Sequence, residues 1–177
     1  MATDLFGTPT PDTLQVARTA DLSPCGLYRY RLTRHWDSSL PRVRWVMVNP
    51  STADASVDDP TIRRCMAFSR AWGCGSLVVV NLYAYRATDP DDLIRQFKAG
   101  VDVVGPDNDA AIVDACGTGL TVAAWGAQHW AQQRAKRVLT LLRLAGARLH
   151  RIGVTKDGMP RHPLYVRGDA VPVSLTE

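Results

Sequence analysis

The sequence predicts an α/β fold: a three-layer α/β/α sandwich around a mainly parallel four-stranded sheet, with one further N-terminal antiparallel strand. Two observations predict it. Short apolar strands alternate with helix-length segments, joined by Gly- and Pro-marked turns, which implies right-handed crossovers. The central strands are continuous β-branched runs rather than alternating ones, as in a sheet covered on both faces.

In chain order, residues 1–24 mix Thr, Pro and Asp around a brief LQVAR stretch and read as a loosely tethered arm, leaving residues 25–177 as one domain. Tyr28–Thr33 alternates aromatic or apolar with basic residues, and Arg42–Val48 is first alternating and then apolar. The pattern predicts two strands paired with each other. Asn49-Pro50-Ser51-Thr52 then turns the chain, and Asp58-Asp59-Pro60 opens a helix reaching about Ala71. Ser76–Leu82 is the next buried strand, and Ala87-Thr88-Asp89-Pro90 caps a short helix.

A helix over Val104–Ala115 leads to a strand at Leu120–Ala124. A longer helix follows from about Gln128 to Leu144, with apolar residues at mixed three- and four-residue steps. The last predicted strand, Arg148–Val154, opens into a Gly- and Pro-rich loop ending at Tyr165.

With 177 residues, 46% hydrophobic and 21% charged, the chain is long enough to bury a core by packing alone and excludes collagen-like or largely disordered classes. A net charge of +4 admits a polyanionic partner without demonstrating one. No apolar run approaches 18 residues and no charged leader precedes an apolar stretch, so a cytoplasmic protein is expected; a monomer is expected as well. Cys25, Cys65, Cys74 and Cys116 contain no Cys-x-x-Cys pair. Reduced, mostly buried thiols are expected, with no zinc, no iron–sulfur cluster and no other cofactor.

In open α/β sheets ligands bind beyond the carboxyl ends of the strands. The unusual residues fall there. Asn49 is projected by a rigid Asn-Pro turn, where its amide either satisfies local backbone or orients a ligand. Asn81 ends VVVN where an apolar residue would have extended the strand, so its amide meets either protein groups or a base edge. His162 sits between Pro160 and Pro163, serving as a loop cap or as a rigid donor. Asp54, Asp58 and Asp59 read as helix caps or as metal ligands. Arg63, Arg64, Arg70, Arg86, Lys156, Arg161 and Arg167 could meet phosphates or remain solvated.

In chain order these pieces resemble the uracil-DNA glycosylase superfamily. Val46-Met47-Val48-Asn49-Pro50 resembles its first motif, in the Asn-Pro form of the mismatch-specific thymine/uracil branch. Val78-Val79-Val80-Asn81-Leu82 resembles the strand whose terminal Asn reads the base. Ala124-Trp125-Gly126-Ala127 resembles the turn after the next strand, and Arg161-His162-Pro163-Leu164 resembles the closing histidine loop. The chain is also similar, over about residues 28–166, to a bacterial and phage domain of unknown function. That family carries Asn-Pro-Ser-Thr-Ala-Asp, Asp-Asp-Pro-Thr-Ile-Arg-Arg-Cys and Thr-Lys-x-Gly-x-Pro-x-His-Pro-Leu-Tyr, here beginning at Asn49, Asp58 and Thr155.

The glycosylase resemblance implies base excision by hydrolysis of an N-glycosidic bond. Asn49 would position water, His162 would stabilise the departing base, and Asn81 would hold the extruded base. Tyr83 or Trp125 would stack on it. Ser51, Arg63, Arg86, Lys156 and Arg161 would contact DNA, and Leu164 or Tyr165 would plug the duplex. Three departures stand out, one being that no cysteine set matches the iron–sulfur branches. The first motif offers an amide rather than a carboxylate, and Leu164 follows Pro163 without the usual small residue. Two other readings are a non-catalytic nucleotide or modified-base binding module, and a metal-dependent nucleotide-processing enzyme built on Asp54, Asp58 and Asp59.

Overall fold

A computed structural model of the chain describes residues 16–51 and 56–175. Among them are seven strands, β1 (Ala17–Leu22), β2 (Arg29–His35), β3 (Arg42–Met47), β4 (Ser76–Asn81), β5 (Leu120–Ala123), β6 (Arg148–Arg151) and β7 (Val173–Ser174). The four α-helices are α1 (Pro60–Ala71), α2 (Pro90–Lys98), α3 (Asn108–Cys116) and α4 (Gln132–Leu144). The fold is α/β, and its single mixed sheet has the order β1-β2-β4-β3-β5-β6-β7.

The sheet is wider than the predicted four strands plus one, and its neighbours differ from those expected. β2 and β3 do not pair with each other. β4 lies between them, antiparallel to β2 and parallel to β3. The reason is burial: β4 is buried at all six positions, and only a central place in the sheet covers both of its faces and both of its edges. β5 continues parallel to β3, and β6 parallel to β5. β1 and β7 close the edges as antiparallel strands. The stretch read as an arm is thus an edge strand over Ala17–Leu22, and the remainder of that stretch up to residue 15 lies outside the described residues.

Strand alternation divides the core. Trp45, Met47, Val79 and Val122 face α1, whose Ile62, Cys65, Met66 and Phe68 complete one apolar cluster. Val46, Val80 and Ala123 face Ile112 and Cys116 of α3 and Ala135, Val138 and Leu142 of α4. Helices therefore cover both faces.

Local chemistry accounts for the helix ends. The Asp59 carboxylate accepts from the Ile62 N–H at 2.8 Å and Pro60 takes the first turn, which starts α1 where expected. Asp89 caps α2 in the same way, accepting from Asp91 N–H at 2.9 Å. The last long helix begins later than predicted. His129–Ala131 form a 3₁₀ turn before α4, and the Trp130 indole donates back to the Gln128 side chain at 2.9 Å.

Cys65, Cys74 and Cys116 are buried free thiols, whereas Cys25 is exposed. Burial pushes the Cys116 thiol up to about 12. No helix among the described residues is long and apolar enough to cross a membrane.

Candidate functional site

The carboxyl ends of β3, β4, β5 and β6 converge on one cavity of about 640 Å³, within the range of small-molecule sites. Asn49, Asn81, Trp125 and His162 all line it, and the first turn of α1 supplies Asp59, Thr61 and Ile62.

Asn81 is held from behind. Its carbonyl accepts from the Asn108 side chain at 3.1 Å, and the next carbonyl, of Leu82, accepts from Asn108 at 3.1 Å and from Arg134 Nε at 2.7 Å. Asn108 and Arg134 are themselves buried, so the strand end is rigid. The Asn81 side chain shares the α1 face with Val79 and lines the cavity. Only 1% of the residue is exposed, and its Nδ2 has no hydrogen-bond partner among the described residues. An unmet buried amide costs about 1–3 kcal/mol.

Asn49 divides its two ends between structure and cavity. Its Nδ2 donates to the Pro50 carbonyl at 3.0 Å and to the Ala87 carbonyl at 2.7 Å. These two acceptors fix which way the amide faces. Oδ1 is left as its acceptor end. That end can orient a water molecule but cannot serve as a strong base.

His162 caps the 3₁₀ turn Pro163–Tyr165: its Nδ1 accepts from the Leu164 N–H at 3.4 Å. The neutral ring then carries its proton on Nε2 and is a donor there. Burial holds its pKa below the ordinary histidine value, while the nearby Asp59 carboxylate acts in the opposite direction. Gly126 brings the imidazole close. Its φ of +79° favours glycine, and its N–H donates to the Pro160 carbonyl at 2.8 Å.

Ser51, Lys156, Arg161 and Tyr165 also line the cavity. Arg161 is steadied by donating Nε to the Val154 carbonyl at 2.9 Å. Trp125 borders the cavity while packing in the α3/α4 core, and its indole N–H has no partner among the described residues.

Four expected site residues lie elsewhere. Tyr83 lines a second groove and packs on Trp130, with ring centroids 5.4 Å apart. The chain bends at Leu82, so strand alternation no longer sets its direction. Arg86 donates to the Gly26 carbonyl at 3.2 Å, beside a separate shallow depression. Arg63, on the exposed side of α1, bonds the Asp58 carbonyl, and Leu164 is exposed outside the cavity. The other arginines considered also have structural contacts: Arg64 lies over Phe68, Arg70 over Trp36, and Arg167 pairs with Asp169.

The acidic residues divide similarly. Asp58 bonds Arg18 at 2.6 Å and the fully buried Arg34 at 2.7 Å. Asp59 caps α1 and borders the cavity. Asp54 lies outside the described residues. Among the described residues no three His, Cys, Asp or Glu side chains group as a metal site.

Sequence reasoning missed Arg29, which is 3% exposed and lines the cavity. Simple alternation puts Arg29 and Arg31 on one face. Instead Asp21 pairs with Arg31 and Leu22 with Arg29, so Tyr30 is an extra residue in β2. This bulge sends Arg31 to Asp114 of α3 and turns Arg29 toward the cavity.

The fold and site define an α/β protein with a cavity of mixed polar and apolar lining at the carboxyl ends of its parallel strands. Residues 29–164 match the family model described as "Protein of unknown function (DUF1643)", and the chain belongs to that family. No curated protein and no solved structure matches it.

Proposed function

We propose that this protein is a DNA-base N-glycosylase or a close relative, hydrolysing the N-glycosidic bond of a damaged, mismatched or modified base. The observation that carries the reading is the convergence of Asn49, Asn81 and His162 on one cavity, with the Asn81 amide buried and its Nδ2 unmatched among the described residues. The resemblance of the motif order to that of uracil-DNA glycosylases supports it, as does the parallel run β4-β3-β5-β6, which is compatible with a glycosylase-like sheet.

In this reading Asn81 offers donor and acceptor to the edge of an extruded base. Departure of the base leaves a sugar with oxocarbenium character, and negative charge collects on the base. The His162 Nε2–H faces that charge as a neutral donor. Asn49 Oδ1 orients the water whose oxygen bonds to the sugar carbon. One water proton ends on the released base and the other stays on the new hydroxyl. Lys156, Arg161 and Ser51 suit phosphate contacts at the rim, and the exposed Tyr165 suits stacking against the duplex.

The second reading, a nucleotide or modified-base binding module without catalysis, is favoured by one feature. The water-positioning group is an amide, and Asp59, the carboxylate that lines the cavity among the described residues, is engaged in capping α1.

Incubation with duplexes carrying uracil, thymine mismatches or modified bases separates the two. Free base and alkali-labile sites, lost in Asn49→Ala, are expected from the enzyme. Salt-sensitive binding without base release, unchanged in Asn49→Ala, contradicts catalysis.

A further inference from the structure

The second groove, of about 740 Å³, shares no lining residue with the base cavity and has the size of a small-molecule site. α2 lines it with Leu93, Ile94, Phe97 and Lys98. Trp130, in the turn that leads into α4, lines it with Gln133, Arg134 and Arg137 of that helix. Both sets fall at the three- and four-residue spacings of one helix face.

The apolar stripe of α2 is wider than the cluster it closes. Leu93 is buried with Ala87 and Val103, whereas Phe97, one turn further on, is 67% exposed. Tyr83 and Trp130 pack beside the same cluster and line the groove as well. A hollow walled in this way favours a ligand with an apolar body.

Its charges are one-sided. Lys98, Arg134 and Arg137 line the groove, and among the described residues no acidic side chain does. Asp109 pairs with Arg134 at 2.5 Å and with Arg137 at 3.0 Å, one carboxylate for two guanidiniums. Arg134 is further engaged by the Leu82 carbonyl. Positive charge is left over beside the apolar wall, where low dielectric strengthens its hold on an anion. Each stripe ends in a cation, Lys98 on α2 and Arg137 on α4. From Trp130 to Arg137 the wall runs about 10 Å, on the order of an extended decanoate tail.

We infer that this groove is a second binding site, for a free amphiphilic carboxylate whose apolar tail lies against Phe97 and Trp130 and whose head meets Lys98. The probes are decanoate below its micellar range, decanol, decyltrimethylammonium and acetate. Each is titrated calorimetrically into the full chain and into Phe97→Ser and Lys98→Gln. Both positions are exposed, so the variants are expected to melt like the parent chain.

Decanoate is expected to bind at one site, at least about tenfold more tightly than decanol, with acetate and the ammonium amphiphile too weak to measure. Phe97→Ser weakens decanoate about tenfold, and Lys98→Gln lowers it to the affinity of decanol. Absence of decanoate binding, equal affinity for decanoate and decanol, or decanoate binding unchanged in either variant overturns the inference.

Two other occupants would show themselves differently. An acidic amphipathic helical peptide that binds where decanoate does not, and is lost in Phe97→Ser, overturns the inference by assigning the groove to a partner helix. Concentration-dependent dimerisation that Phe97→Ser abolishes and decanoate leaves intact overturns it in favour of a second copy of this chain. None of these readouts involves base release, so the site stands or falls apart from the base-excision reading.

Discussion

Gly126 and His162 fit against each other: a Cβ built on Gly126 would lie 3.3 Å from the Cβ of His162. The glycine also occupies a left-handed conformation, with φ +79°. Gly126→Ala is therefore expected to cost about 1–2 kcal/mol in stability. It also displaces the imidazole, lowering base release by tenfold or more. Urea unfolding and the release assay, run on the same preparation, check both effects.

Asn81 and Val79 lie two residues apart on one strand face, each 1% exposed. Val79→Ala empties packed space and is expected to cost about 2 kcal/mol. Asn81→Ala also removes an amide nitrogen that lacks a partner among the described residues, so its cost is expected below about 1 kcal/mol. Base binding shows the opposite ranking, with Asn81→Ala the more damaging. Equal loss of stability in the two variants would make Asn81 a structural residue.

Asp58 joins Arg18 on β1 to the fully buried Arg34 on β2. Asp58→Asn removes the negative charge that Asp58 places against the buried Arg34 guanidinium and is expected to destabilise the fold by about 3 kcal/mol. Arg18→Ala removes a partly exposed partner and costs less than about 1 kcal/mol. Thermal melts with and without added divalent cations check this. A cation-dependent activity that disappears in Asp58→Asn would instead support the metal-dependent reading.

Burial holds the His162 pKa below its ordinary value of about 6.5. As pH falls below about 6.5 the unfolded chain takes up a proton before the folded one, so this histidine's contribution to stability falls with it. The contribution is complete above that pH and levels off below the folded-state pKa. His162→Gln is expected to flatten this part of the stability profile, and the His162 NMR resonance should titrate below about 6.5. A midpoint above that value contradicts burial as the dominant influence.

The elements legible in the sequence are those set by neighbouring residues. α1 begins at Asp59-Pro60, and β4 is a β-branched run, because capping and burial leave local marks. Sheet order is set by distant packing, which explains why β4 enters between β2 and β3 and why β1 and β7 were not distinguished from loops. The site follows the same division. Asn49, Asn81 and His162 were legible because strand ends of a parallel sheet share one mouth. Arg29 was hidden by a single inserted residue, and Tyr83 was misplaced by a bend after its strand.

A crystal structure of the protein soaked with a flat pyrimidine base tests most directly whether the three side chains form one base site. The expected ring lies in the cavity with one edge on the Asn81 amide and an oxygen about 3 Å from His162 Nε2. A ring seated instead in the second groove, which Tyr83 and Trp130 both line, would contradict the assignment.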